Sequence, residues 1–257
     1  MRIQLAICIA FLILLPACRK HDSSKIIYLS EEEGKQSLWM MNPDGSGKRP
    51  LTDLEFSVMW PDWSPDGEKI VFTSYDKGRT GLYVVDSDGA NLRKLDLEMQ
   101  NPDIPCWSHD SRHIAFMAER GDGIQIADVN GRLIRSVAGG EIGGAYQKWS
   151  PEGPRLVFES GRDGNPEIYT IHAVTGKELT RLTANDQLDE WPNFSPDGSM
   201  IAWAHGREGA MHTWIMQTDG TQQRILTDEV TGGDGYASFS PDGSQVAFTC
   251  WSGEKPA

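Results

Sequence analysis

A turn of the form aromatic-Ser-Pro-Asp-Gly occurs five times at nearly constant spacing, and no other feature of this chain constrains its fold as tightly. Trp63-Ser-Pro-Asp-Gly67 recurs as Trp107-Ser-His-Asp-Ser111, Trp149-Ser-Pro-Glu-Gly153, Phe194-Ser-Pro-Asp-Gly198 and Phe239-Ser-Pro-Asp-Gly243. The serines stand at 64, 108, 150, 195 and 240, so the steps are 44, 42, 45 and 45 residues. Proline fixes φ at the second position of a type I turn, Asp tolerates the third, and Gly accepts positive φ at the fourth. A short apolar run of strand length follows each turn: Lys69 to Ser74, His113 to Ala118, Arg155 to Ser160, Met200 to His205 and Gln245 to Cys250. Lys25 to Ser30 is the same element one period before the first turn. These β-rich runs read as strands buried on both faces.

A second hairpin follows in five units: Ser37 to Thr52, Leu82 to Leu95, Ile124 to Val137, Ile168 to Thr183 and Thr213 to Thr227. In each, an alternating strand leads to an Asp-Gly, Asn-Gly or Thr-Gly turn, and a polar strand ends in Leu-Thr or an equivalent. Four short antiparallel strands per period of about 44 residues are the grammar of a β-propeller blade. One blade cannot cover its own faces, and radial stacking of blades does it. The nine tryptophans suit such packing, so nearly every aromatic is read as core. The fold class is all-β, a propeller of four-stranded antiparallel blades over residues 25–257.

The start of the chain lies outside that pattern. Met1-Arg2 and the apolar stretch Ile3 to Leu15 read as a secretory signal. The stretch is too short for a membrane span of about 20 residues. Leu15-Pro-Ala-Cys18 resembles a bacterial lipobox, which implies cleavage after residue 17 and lipidation of Cys18. Residues 18–24 are then a polar tether, and the membrane is touched only through the anchor. Arg19 stands where an Asp would suggest retention at the inner membrane, so the outer membrane is favoured. Loss of residues 1–17 removes Arg2 and takes the formal charge from −13 to −14. Such an acidic surface argues against nucleic acid and anionic lipid as partners, and leaves room for basic ones. Cys106 and Cys250 remain in the propeller and are read as small buried residues rather than a disulfide.

The repeat resembles a known family. Trp-Ser-Pro-Asp-Gly followed by Ile-x-Phe-x-Ser, then Gly161 to Tyr169 (Gly-Arg-Asp-Gly-Asn-Pro-Glu-Ile-Tyr), then Arg181-Leu-Thr183, looks like the TolB-type propeller repeat, which also occurs in propellers of dipeptidyl-peptidase-type hydrolases. The likeness covers residues 25–254. The TolB protein carries a separate α/β domain before its propeller, and no residues are available for one here; no Gly-x-Ser-x-Gly of a hydrolase domain stands in the chain either. The resemblance implies an isolated propeller that binds a protein or peptide partner of the cell envelope without catalysis. A related propeller type carries oligogalacturonate lyase activity, which makes a carbohydrate-binding or carbohydrate-active propeller the alternative. The family usually has six blades. Six Ile-x-Phe-type strands but five second hairpins are present, and the fifth turn ends 14 residues before the chain does. The expectation is six blades with an incomplete last one; five blades with a strand to spare is the alternative, and a truncated reading frame would also account for the pattern.

Function in a propeller concentrates at the channel mouth, on the strand before each turn. Alignment of these strands gives a column at Trp60, Ile104, Tyr146, Trp191 and Tyr236, with Asp103 and Glu190 one residue earlier and Asp189 and Asp234 just before. Aromatics and carboxylates around a funnel could hold a peptide or a sugar, so Trp60, Asp103, Tyr146, Asp189, Glu190, Trp191, Asp234 and Tyr236 are the candidate rim. The competing reading is a packing layer between blades with acids on solvated loops. No cofactor or metal is expected. The histidines at 21, 109, 113, 172, 205 and 212 show no zinc spacing, and Asp86 to Gly89 and Arg162 to Asn165 are turns rather than calcium loops. Neither a nucleophile elbow nor a phosphate loop is present, so no catalytic residue is assigned.

Overall fold

The computed structural model describes residues 25–32, 35–118, 123–138, 145–207, 209–228, 232–240 and 242–251. The proposed signal over 1–17, the tether over 18–24 and Cys18 lie outside them. Every regular element among the described residues is a strand. The first sheet holds β1 (Ile26–Glu32), β2 (Lys35–Met41) and β3 (Arg49–Pro50). The second holds β4 (Ser57–Trp63), β5 (Lys69–Asp76), β6 (Arg79–Asp86) and β7 (Arg93–Lys94), and the third β8 (Asp103–Trp107), β9 (His113–Met117), β10 (Ile124–Asp128) and β11 (Leu133–Ala138). The fourth holds β12 (Ala145–Trp149), β13 (Arg155–Ser160), β14 (Glu167–His172) and β15 (Thr180–Arg181). The fifth holds β16 (Leu188–Phe194), β17 (Met200–Arg207), β18 (Ala210–Gln217) and β19 (Arg224–Ile225), and the sixth β20 (Gly233–Phe239) and β21 (Val246–Trp251). All neighbours are antiparallel and follow chain order, so each complete sheet is a four-stranded meander as expected.

The innermost strands are β4, β8, β12, β16 and β20, each leading into one Ser-Pro-type turn. By that count the described residues give five blades, the alternative number rather than six. The strand that raised the sequence count to six is β1, which pairs with β2 and has no innermost strand beside it. Among the described residues the first sheet thus lacks an innermost strand, and the sixth consists of an innermost strand and the one beside it.

The strand after each turn alternates its side chains between two blade interfaces, which is why both faces are apolar. On β13, Leu156 and Phe158 pack toward Cys106, Ala115 and Ile124 of the third sheet, while Val157 packs toward Phe194, Ile201 and Trp203 of the fifth. β5 divides in the same way: Ile70 and Phe72 face Ile27, Leu38 and Met40 of the first sheet, and Val71 faces Trp107, Ile114 and Phe116 of the third. Each such fully buried Leu, Ile or Phe contributes about 1.5–3 kcal/mol relative to exposure. β21 is the exception. Val246 to Thr249 are half-buried and Cys250 is exposed, because no further sheet among the described residues covers that face. The expectation that both cysteines are buried therefore holds for Cys106 alone; neither is in a disulfide.

Candidate functional site

Each innermost strand carries one irregularity in its ladder, between Met59 and Asp62, Asp103 and Cys106, Ala145 and Lys148, Glu190 and Asn193, and Gly235 and Ser238. At each bulge the backbone turns left-handed at the residue of the aligned column: φ is 51° at Trp60, 50° at Ile104, 50° at Tyr146, 55° at Trp191 and 54° at Tyr236. For a residue with a side chain this costs about 1–2 kcal/mol, and bulky residues rarely adopt it. Two side chains on the preceding blade help to hold it. The Ile104 N–H donates to Thr73 Oγ1 at 3.2 Å, and the Trp191 N–H donates to Glu159 Oε2 at 2.9 Å. Thr73 and Glu159 occupy the same position in their respective strands, the fifth residue of the apolar run.

The bulges deliver four rings to one place. Trp60 meets Tyr146 edge-on with centroids 5.4 Å apart, Tyr146 meets Trp191 edge-on at 6.4 Å, Trp191 stacks on Tyr236 at 4.0 Å, and Tyr236 returns to Trp60 at 6.5 Å. The circuit closes across the channel, and all four rings remain partly exposed. Trp251 of β21, the strand paired with β20, meets Trp191 edge-on at 6.0 Å. Together with the inner strands, the rings line a cavity of about 310 Å³, within the lower range for small-ligand sites. The side chains after the bulges form a second, polar layer of this cavity. There Lys148 Nζ lies 3.1 Å from Asp62 Oδ1, Asp62 Oδ2 accepts the Trp107 N–H at 2.8 Å, and Gln147 donates through Nε2 to the Ile104 carbonyl. Asp62 raises the Lys148 ammonium against the burial that would lower it.

Carboxylates sit beside the rings. Burial pushes Glu159 up to about 8, with the Glu190 charge adding to the shift. Burial, then the neighbouring Tyr236, Glu159 and Glu190, push Tyr146 up to about 12. Tyr236 is raised by burial, Glu159 and Glu190 in turn. Both tyrosines therefore feel both glutamates; Glu159 reaches the cluster through its bond to the Trp191 N–H, and Glu190 directly precedes Trp191 on β16.

The rim expected from the alignment is thus assembled in part. Trp60, Tyr146, Trp191 and Tyr236 converge; Glu190 directly precedes Trp191 on β16 and is not among the residues that line the cavity. Asp103 lies at its bulge, where Oδ1 accepts the Ile104 N–H at 2.8 Å and burial raises its carboxyl. Asp189 and Asp234 are fully buried away from the cavity. Asp189 Oδ1 accepts Trp203 Nε1 at 2.6 Å and lies 2.7 Å from His205 Nδ1, and Oδ2 accepts Asn185 Nδ2 at 2.7 Å. Asp234 Oδ1 accepts the N–H of Thr213 at 2.8 Å and its hydroxyl at 2.5 Å, while Oδ2 accepts Thr227 Oγ1 at 2.8 Å and lies 3.1 Å from His212 Nδ1. These two carboxylates clasp the ends of the outer hairpins.

The alignment passed over Glu159, Asp62 and Lys148. Glu159 carried a signal: the equivalent residues are Thr73, Met117, Ala204 and Thr249, so a glutamate in a buried run was the odd member. The bulges carried one too. Pro61, Pro105 and Pro192 directly follow column residues, and a proline inside a central strand marks a break in its ladder.

Comparison with known proteins agrees with this architecture. Putative TolB from Agrobacterium tumefaciens superposes with a TM-score of 0.69 at 25% identity, over 81% of this chain and 75% of that one. TolB from Acinetobacter baumannii gives 0.68 at 21% identity over 81% of this chain and 53% of that one, so the chain spans about half of that protein's length. An oligogalacturonate lyase from Vibrio parahaemolyticus gives 0.62 at 14% identity over 88% of this chain and 71% of that one, a likeness of fold alone. No curated protein matches the chain. The family model for the TolB beta propeller domain matches residues 9–146, more than half of the sequence, and the chain accordingly belongs to the TolB β-propeller family.

Proposed function

We propose that this chain is a non-enzymatic binding module of the cell envelope, exported and anchored through a lipid on Cys18, which takes an extended segment of a protein partner against the aromatic cluster in its channel. The observation that carries this reading is the cluster itself: four partly exposed rings on four strands, each on a left-handed residue. Strain of this kind persists only where the surroundings over-determine it, and it concentrates at ligand sites. Aromatic rings with a few fixed polar groups are the usual lining of such a site. The formal charge of −13 favours a basic partner by long-range steering, and Arg19 favours the outer membrane. The decisive test is an array of peptides and soluble glycans probed with the chain starting at Cys18. Peptides are expected to bind, and Trp191→Ala with Tyr236→Ala is expected to abolish binding without loss of the β-sheet circular dichroism signal. Binding that survives this double substitution, or confinement of all binding to glycans, overturns the proposal.

The glycan outcome would favour the second reading, a carbohydrate-active propeller like the lyase it resembles in fold. That chemistry would need histidines gathered at the channel. The structure instead ties His205 and His212 to Asp189 and Asp234, and among the described residues one histidine, His109, lines the cavity.

A further inference from the structure

A buried carboxylate stands behind the aromatic cluster. Glu159 is the buried carboxylate there: it is 9% exposed, its Oε2 accepts the Trp191 N–H, and among the described residues no Lys, Arg or His forms an ion pair with it. The one nearby lysine on the inner strands, Lys148, is committed to Asp62 on the polar side of the cavity. The titratable groups that interact electrostatically with Glu159 are Tyr146 of β12, Glu190 of β16 and Tyr236 of β20; in the ladder it pairs with the uncharged Ala145 of β12 and Ile168 of β14. The carboxylate thus sits against the strand that carries Trp191, with two tyrosines and a second carboxylate within electrostatic reach. Each of these attracts positive charge. A ring face attracts a cation through its quadrupole, and the attraction grows when both are removed from water.

We infer that the cluster of Trp60, Tyr146, Trp191 and Tyr236, backed by Glu159 and Glu190, is a cation box that anchors a lysine or arginine side chain, or a terminal amine, of the bound segment. This rests on the peptide-binding reading above and names the group that such a segment must carry. Binding is coupled to a proton. Burial holds Glu159 near 8 in the empty box, so at neutral pH the group is mostly uncharged. An incoming cation stabilises the ionised form and expels that proton, and affinity therefore rises with pH until Glu159 is ionised without help.

The test titrates the full chain, purified in detergent, with a blocked pentapeptide of one central lysine among glycines, and with its twin carrying norleucine, which has the stem without the charge. Tryptophan fluorescence reports occupancy of the box. The lysine peptide is expected to bind about tenfold more tightly than the norleucine peptide, and to gain about tenfold between pH 6.5 and 8.5. Glu159→Gln keeps an acceptor for the Trp191 N–H and is expected to remove both the preference and the pH dependence. Equal binding of the two peptides overturns the cation box, as does a Glu159→Gln chain with unchanged preference and pH profile. If the array peptides bind in a Trp191-dependent manner while the lysine preference is absent, the box fails and the peptide-binding module stands; if no peptide binds at all, both fail.

Discussion

Asp66, Asp110, Asp197 and Asp242 perform the same task in four of the five turns. In each turn the carboxylate accepts the hydroxyl of the preceding serine at 2.6 Å and a backbone N–H two residues on at 3.0 or 3.1 Å. The serine hydroxyl oxygen in turn accepts the N–H five residues later, at 2.8 or 2.9 Å. The Ser195 hydroxyl holds Asp197 below the usual carboxylate range, and the Ser240 hydroxyl holds Asp242 down to about 2. The fourth residue must close the loop with positive φ, 73° at Gly67 and 58° at Ser111. Nothing lies within 4 Å of a Cβ placed on Gly67, so Gly67→Ala isolates the backbone cost and is expected to lower stability by about 1 kcal/mol. Ser111→Gly relieves the same strain but loosens the unfolded chain and removes the Oγ that accepts the Asp66 N–H at 3.1 Å, so its expected net change is within a few tenths of a kcal/mol of zero. Thermal melts of the two variants check the pair; a Gly67→Ala chain that melts with wild type would show that the turn does not need the left-handed residue. The third turn was read in the sequence as one more copy, with Glu152 in place of Asp. Its extra methylene takes the carboxylate out of reach of this geometry. There Ser150 Oγ accepts the Glu152 N–H at 3.3 Å, and Gly153 is not among the glycines with positive φ.

At the scale of a strand, one left-handed residue separates what could be counted from what could not. Counting back from each turn finds Trp60, Tyr146, Trp191 and Tyr236, because the offset to the turn is fixed. The same counting assigns Asp189 and Asp234 to the rim. A left-handed residue breaks the period-two alternation of a strand, so the face of Asp189 does not follow from that of Trp191. The two kinds of carboxylate are therefore expected to respond differently. Asp234→Ala strips the acceptor from the buried Thr213 and Thr227 hydroxyls and leaves the Thr213 N–H with Thr227 Oγ1 alone, and each orphaned group costs about 1–3 kcal/mol. A drop in melting temperature well beyond that of Gly67→Ala is expected, and a neutral result would return Asp234 to the rim. Glu159 behaves in the opposite sense. Its folded value, about 8, lies above the ordinary 4.5, so the folded chain binds this proton more tightly than the unfolded one. The stability this contributes is complete below the unfolded value and is lost as pH rises through the folded one. Glu159→Gln is thus expected to melt above wild type near pH 8.5 and to converge with it toward about pH 4.5. Parallel melting curves across that window would mean that Glu159 is not held neutral by burial.

The molecule as a whole is held by interfaces between blades, and they are unequal. The second to fifth sheets are sandwiched on both faces, and each contributes fully buried side chains to two clusters. The two end sheets have one packed interface each, and among the described residues no ladder joins β21 to β1. The repeat count made an unequal pair of ends legible, but not which strands would stand uncovered, because that depends on which strand of a repeat is innermost. Local opening follows the number of buried contacts and the pairing of the backbone, so protection should fall from the middle of the chain toward β1 and β21. The cysteines report this directly. Cys106 is buried on the innermost strand of the third sheet, β8, and burial pushes its thiol up out of the reactive range, whereas Cys250 is exposed on β21. A thiolate reacts only when it can form and be reached. Cys250 is therefore expected to be labelled by a maleimide within the mixing time, and Cys106 only at the rate of global unfolding, with the same denaturant dependence as the loss of tryptophan signal. Slow labelling of both, at one common rate, would show that β21 is covered as tightly as the central blades, and that the two ends of the propeller are closed against each other.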